Sequence, residues 1–225
     1  MGRLILAGGG DSEQTLSIDK EFVNLINTDK PLLYIPIAMD TKFIPYESCF
    51  KWVNGVFNSF GIDNIIMWTE NDLINKQIED LNQFSAVYIG GGNTFSLLEH
   101  FNKALFTNVL KEYVENEGII YGGSAGAIIL GKDIGTCSHM DSNDVDLKEL
   151  SGLGLVENYS IWCHYKIGDD TLISTYILEY KNPVISLPEE TGLLLNEEGM
   201  KVIGEKPAFI FDGEIRKIIQ PGHYC

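Results

Sequence analysis

Apolar and polar positions alternate along this chain in ordered blocks. Leu4 to Ala7 form a short apolar run ending in Gly8, Gly9 and Gly10, which predicts a buried strand followed by a tight turn. Ile18, Phe22, Leu25 and Ile26 then recur at helical spacing as one amphipathic stripe. Leu32 to Ala38 reads as a second strand, and Phe50, Val53, Phe57 and Phe60 predict a helix stopped by Gly61. Ile65 to Trp68 is a third strand. Thr69 with Asp72 caps a helix expected to carry Leu73, Ile74, Ile78 and Leu81. Ala86 to Ile89 is a strand running into Gly90, Gly91, Gly92, Asn93 and Thr94. Two helical stretches follow, one with Leu97, Leu98 and Phe101 and one with Leu105, Val109, Tyr113 and Val114. Ile119 to Tyr121 is again a strand, broken by Gly122 and Gly123.

Strand and helix in strict succession predict the α/β class: a mostly parallel sheet with helices on both faces. After Glu189 the pattern changes. Gly192 to Asn196, Lys201 to Gly204, Ala208 to Phe211 and Ile215 to Ile219 are short strands separated by turn residues, including Asp212-Gly213-Glu214. They predict C-terminal antiparallel hairpins that extend one edge of the sheet. No linker or repeat interrupts the chain, so residues 1–225 are expected to form one domain.

Charge narrows the partners. The 16 Lys and Arg face 32 Asp and Glu, a formal net charge of −16. Such a field repels phosphate backbones and anionic membranes, so neither is an expected partner. No stretch approaches the ~20 apolar residues needed to cross a bilayer, and the Met1-Gly2 start carries no signal-peptide core or myristoylation signature. The cysteines at 49, 137, 163 and 225 are scattered and read as reduced thiols of a cytoplasmic protein.

The chemistry concentrates where a strand meets a helix. Gly122-Gly123-Ser124-Ala125-Gly126 is a G-x-S-x-G segment preceded by an apolar strand and followed by a small-residue helix, Ala125 to Leu130. A serine on such a strained turn needs small neighbours. The turn points its hydroxyl outward and aims the first helical N–H groups at the group it attacks. The plainer alternative is a glycine-rich turn with a serine cap, but the strand-to-helix context favours a nucleophile.

A nucleophilic serine needs a base. His100 lies late in a helix, His139 in a polar loop and His223 near the chain end. His164 follows the strand Tyr159 to Cys163 and so stands at a strand's carboxyl end, where open α/β sheets build their sites. Cys163 beside it should point to the opposite face, which argues against a metal pair. With so many acidic residues, composition cannot choose the acid that orients the base. Glu189 and Glu190, after Val184 to Pro188, stand at another strand end.

Three segments together, Gly90-Gly91-Gly92-Asn93-Thr94-Phe95, Gly122-Gly123-Ser124-Ala125-Gly126-Ala127 and Pro188-Glu189-Glu190-Thr191, resemble the peptidase family (S51) that contains aspartyl dipeptidase, or peptidase E, and cyanophycinase. The resemblance implies a three-layer sandwich of the class I glutamine-amidotransferase-like kind. It also implies a serine peptidase acting on small peptides through Ser124, His164 and Glu189. Asp141, in the polar loop after the nucleophile helix, matches a second acid considered for such enzymes. The oxyanion hole falls on the N–H groups of Gly92 (Gly91 if the register slips by one) and Ala125. No cofactor or metal is implied, and homo-oligomerisation stays open.

One departure bears on specificity. Aspartyl dipeptidases carry arginines in the stretch that corresponds here to Gly168-Asp169-Asp170-Thr171-Leu172, where Lys166 is the one nearby cation. A bidentate carboxylate clamp is not expected from those residues.

Two competing readings remain. An α/β-hydrolase-type esterase shares G-x-S-x-G but orders its triad with the histidine last, which requires His223 after Asp212. A binding module could keep the scaffold without turnover.

Overall fold

The computed structural model describes residues 2–213 and 215–225, so Met1 and Glu214, and with them part of the start and of the last turn considered above, lie outside the described residues. The chain opens with β1 (Arg3–Ala7), α1 (Leu16–Val23), β2 (Leu32–Ile35), α2 (Tyr46–Asn58) and β3 (Ile65–Met67). It continues through a short α3 (Ile78–Leu81), β4 (Ala86–Ile89), α4 (Thr94–Lys103), α5 (Phe106–Glu115), β5 (Ile119–Gly123) and α6 (Ala125–Leu130). Then come β6 (Ser160–Cys163), α7 (Asp170–Tyr180), β7 (Val184–Leu187), β8 (Thr191–Asn196), β9 (Gly199–Gly204), β10 (Ala208–Asp212) and β11 (Ile215–Ile219).

Two sheets form. The larger has the order β3-β2-β4-β5-β1-β8-β9. Its first five strands are mutually parallel, and the β8–β9 hairpin adds antiparallel strands at the β1 edge. The parallel strands read as continuous apolar runs because both faces are covered. Ile5, Tyr34, Tyr88 and Tyr121 face α1 and α2, while Leu4, Leu6, Val87 and Ile89 face α4, α5 and α6. Each such Leu or Ile, taken wholly out of water, contributes about 1.5–3 kcal/mol.

The second sheet, β11-β10-β7-β6, corrects the expected topology. Only β8 and β9 extend the main sheet; β10 pairs instead with β7, which is parallel to β6, and β11 pairs with β10 at the outer edge. Helix α6 packs between the sheets, and Ile161, Cys163, Ile185 and Leu187 share its core cluster. The outer face of the small sheet is covered by Ile173 and Tyr176 of α7, a helix absent from the sequence expectation.

A second difference concerns the helix expected from Thr69 onward. Asp72 does accept the Thr69 N–H at 2.7 Å, but that turn is 3₁₀ and ends at Leu73. Asn75 adopts a φ of 62°, a left-handed conformation that no helix can pass through, and α3 starts afresh at Ile78.

Candidate active site

Five strand ends meet at one place. Gly8, Gly9 and Gly10 leave β1, Gly90 to Gly92 leave β4, Ser124 leaves β5, His164 leaves β6, and Pro188 with Glu189 leave β7. The two sheets are joined there through backbone, where the His164 N–H donates to Gly8 O at 2.8 Å; the Gly8 N–H in turn donates to Thr191 O of β8, within the larger sheet, at 2.9 Å.

Ser124 sits at φ 49° and ψ −108°, a conformation costly for a residue with a Cβ, by about 1–3 kcal/mol. The surrounding packing holds it there. A Cβ on Gly126 would come within 2.3 Å of Ile89 O, and one on Gly122 within 2.5 Å of Gly126 itself. These glycines let α6 press against β4 and β5, so the turn between strand and helix has no room to relax.

Ser124 Oγ lies 2.8 Å from His164 Nε2, and His164 Nδ1 lies 3.0 Å from Glu189 Oε1. The other carboxylate oxygen, Oε2, accepts from Gln14 Nε2 at 3.0 Å. Hydrogen bonds from His164 first and Gln14 second hold the Glu189 carboxyl below its ordinary range, with burial opposing them. Glu190 turns the other way and pairs with Lys206, so the adjacent glutamates have separate partners. Cys163 is buried in the core below, its thiol directed at Ser124 O.

Asp141 stands elsewhere. Its Oδ2 accepts the Thr94 N–H at 2.8 Å, the first turn of α4, and the next residue's carbonyl accepts from Asn93 Nδ2 at 2.8 Å. The loop carrying Asp141 therefore grips the end of the Gly90–Thr94 segment and makes no hydrogen bond to His164. Within that segment Gly92, at φ 137°, passes so near Ala38 that a Cβ would meet its carbonyl at 2.2 Å. Gly91 backs onto the serine: a Cβ there would be 3.3 Å from Ser124 Cβ. Among the described residues, the N–H groups of Gly91, Gly92 and Ala125 have no hydrogen-bond acceptor.

The remaining histidines lie apart from this constellation. His223 Nδ1 faces Pro221 O, and its backbone pairs with Val202 of β9, the third strand from β5. His139 stacks on Trp162, and His100 lies 3.9 Å from Glu70. The Gly168–Leu172 stretch leads into the first turn of α7, which begins at Asp170. Arg216 of β11, far from it in sequence, pairs with Asp170 at 3.1 Å and lies over the Phe209 ring.

A family model for "Peptidase family S51" matches residues 4–203, nearly the whole chain. The chain belongs to peptidase family S51. Its class is thus serine-type peptidase, a hydrolase. Similarity to individual S51 relatives is modest. Peptidase E of Shewanella putrefaciens is 29% identical over 142 residues, and that alignment spans 60% of each chain. Peptidase E of a Nostoc species is 26% identical over 206 residues, 85% of this chain and 80% of the relative. The crystal structure of a peptidase from an acI-B1 actinobacterium superposes with a TM-score of 0.75 at 18% identity, covering 99% of this chain and 96% of that one. The last likeness concerns the fold.

Two elements of the site, Gly9 against the His164 ring and Gln14 on Glu189, emerge only from the structure. Gly8 to Gly10 did carry a signal, since three successive glycines at a strand's carboxyl end allow close approach of another group. Gln14 carried none, because its partner Glu189 is 175 residues away. No helix among the described residues is long and apolar enough to cross a membrane.

Proposed function

We propose that the protein hydrolyses small peptides, in the manner of a dipeptidase or exopeptidase, with Ser124 as nucleophile, His164 as general base and acid, and Glu189 as the orienting carboxylate. The observation that carries this reading is the continuous run Ser124 Oγ–His164 Nε2–Glu189 Oε1 at 2.8 and 3.0 Å. In that run Glu189 accepts Nδ1–H, which leaves the Nε2 lone pair facing the serine hydroxyl.

The chemistry follows from the geometry. As Oγ bonds to the scissile carbonyl carbon, its proton passes to Nε2, and the imidazolium is stabilised by Glu189. The carbonyl oxygen gains the negative charge, which unclaimed N–H groups of Gly92 and Ala125 are suited to hold, with Gly91 as the alternative donor. Collapse of this intermediate breaks the C–N bond while Nε2–H protonates the leaving amine. Water then gives a proton to Nε2, adds to the acyl carbon and releases the acid, and the proton returns to Oγ.

A peptide library assayed with purified wild type, Ser124→Ala and His164→Ala tests the reading, alongside labelling by a serine-directed fluorophosphonate. Turnover lost in both variants, by several orders of magnitude, and labelling confined to Ser124 are expected. Activity retained in His164→Ala, or a folded protein that neither turns over peptides nor labels, would refute it.

A further inference from the structure

A cavity of about 450 Å³ opens beside Ser124 and His164, bounded on one side by Gly90, Gly91 and Gly92. Its walls are Tyr34, Tyr88, Tyr121, Met39, Ile44 and Trp52, contributed by three adjacent parallel strands, the loop after β2, and α2. Among the described residues no Lys, Arg, Asp or Glu side chain lines it. The tyrosine rings form a row: Tyr34 and Tyr88 are 5.5 Å apart between centroids, and Tyr88 and Tyr121 are 4.6 Å apart.

We propose that this cavity receives a bulky apolar or aromatic side chain on the acyl side of the scissile bond, so that the substrates are peptides with residues such as Phe, Tyr, Leu or Met at that position. The inference rests on the hydrolytic reading given above and adds the substrate class to it.

Three observations carry it. An anionic side chain needs a fixed cationic donor when it leaves water, and the cavity supplies none. Arg216 is already engaged by Asp170 and Tyr165, and the net charge of −16 repels anions further. A cationic side chain would need a free acceptor carboxylate; the two carboxylates bonded to lining residues are already engaged, Asp19 by Tyr121 Oη and Thr15 Oγ1 and Glu189 by His164 and Gln14.

The rim supplies the third observation. Trp52 is 41% exposed and Ile44 43% exposed, although both border the cavity. Apolar surface of that size at the mouth of a concave site is area that a bound apolar group removes from water. The tyrosine hydroxyls add a polar margin. Those of Tyr34 and Tyr88 have no hydrogen-bond partner among the described residues, and they stand behind the glycine turns, 3.2 Å from a Cβ placed on Gly90 and 3.3 Å from one on Gly123. They are placed to meet backbone or a phenolic substrate without conferring charge selectivity.

The test compares aminoacyl p-nitroanilides and dipeptides carrying Phe, Leu, Ala, Asp or Lys on the acyl side. We expect kcat/KM for Phe or Leu to exceed that for Asp or Lys by about 10- to 100-fold, as burial of a bulky apolar group implies. Trp52→Ala and Ile44→Ala, changes at exposed positions, should each compress the Phe-to-Ala ratio several-fold. Equal or better turnover of Asp, or a preference confined to the leaving-group side, overturns the inference while leaving the hydrolytic reading intact. If no substrate is turned over, that reading falls separately. Calorimetric binding of Phe and Asp dipeptides to Ser124→Ala protein then decides the pocket: tighter binding of Phe supports it and tighter binding of Asp overturns it.

Discussion

The imidazole of His164 rests on the bare backbone of Gly9. A Cβ at residue 9 would fall 2.1 Å from His164 Cε1 and 2.6 Å from Nδ1, and Gly9 holds a φ of 115° that side chains rarely adopt. Gly9→Ala is therefore expected to push the ring off Ser124 and Glu189 together. Since a misplacement of about an ångström can cost a hundredfold in rate, kcat should fall by about that factor or more. Circular dichroism should still report a folded α/β chain. Near-normal kcat in this variant would mean that the ring does not need the position seen here.

The two acids near the site should separate cleanly. Glu189→Gln keeps the shape but removes the charge that, in the proposed mechanism, stabilises the imidazolium, and kcat is expected to drop by about 10² to 10⁴. Asp141→Ala removes an acceptor and a favourable charge at the first turn of α4. It should cost about 0.5–2 kcal/mol of stability, in line with other lost caps. Its effect on kcat should be the smaller, arising from a loosened Gly90–Thr94 segment. Urea denaturation and steady-state kinetics on the same preparations check both halves.

Gln14 should tune Glu189 without touching the substrate. Its amide helps hold the Glu189 carboxyl below the usual range. A lowered carboxylate favours the native state above the unfolded pKa, and that contribution is lost as pH falls through the folded one. Gln14→Leu is thus expected to move the Glu189 titration upward, toward an ordinary glutamate. Carboxyl ¹³C NMR titration of labelled protein reads this directly; an unchanged titration would show that the 3.0 Å contact is energetically idle.

Asp19 works in the opposite sense. Burial pushes its carboxyl up to about 6 from 3.8, against the hydrogen bonds of Tyr121 and Thr15. The native state then binds more protons than the unfolded chain between those values, so stability falls as pH rises through that window. A shift of this size corresponds to about 3 kcal/mol. Asp19→Asn should remove this pH dependence, so that the variant gains on wild type between pH 4 and 7 in chemical denaturation. Parallel stability curves for the two proteins would exclude the effect.

What could be read from the chain alone was whatever depends on neighbours in sequence. The strands β1 to β5 follow from apolar runs, and the Ser124 turn follows from small residues between a strand and a helix. Ser124 and His164 stand out because each closes a strand, whereas Glu189 is singled out from Glu190 only by the resemblance of Pro188–Thr191 to the family motif. Partner choice was not legible. Nothing in Val184–Leu187 or Ala208–Phe211 says that they join a separate sheet, because either face of either sheet would bury them equally well. Helix α7 is hidden in the sequence because its hydrophobic positions are spread too evenly to form a sharp stripe. The break at Asn75 is a left-handed residue with no glycine to announce it. Asp141 enters as an orienting acid only through the family resemblance; its spatial placement ties it to Thr94.

The division into two sheets has a mechanical consequence. In the proposed mechanism the attacking hydroxyl is anchored to one slab of the molecule, the proton carrier rides on the other, and its counter-charge sits on the link between β7 and β8 that joins them. Their alignment is set by how the slabs register across α6 and the Gly8 seam. Any influence that slides one slab past the other, whether a distant substitution or a ligand wedged into the seam, could switch the chemistry off with every reacting group still intact.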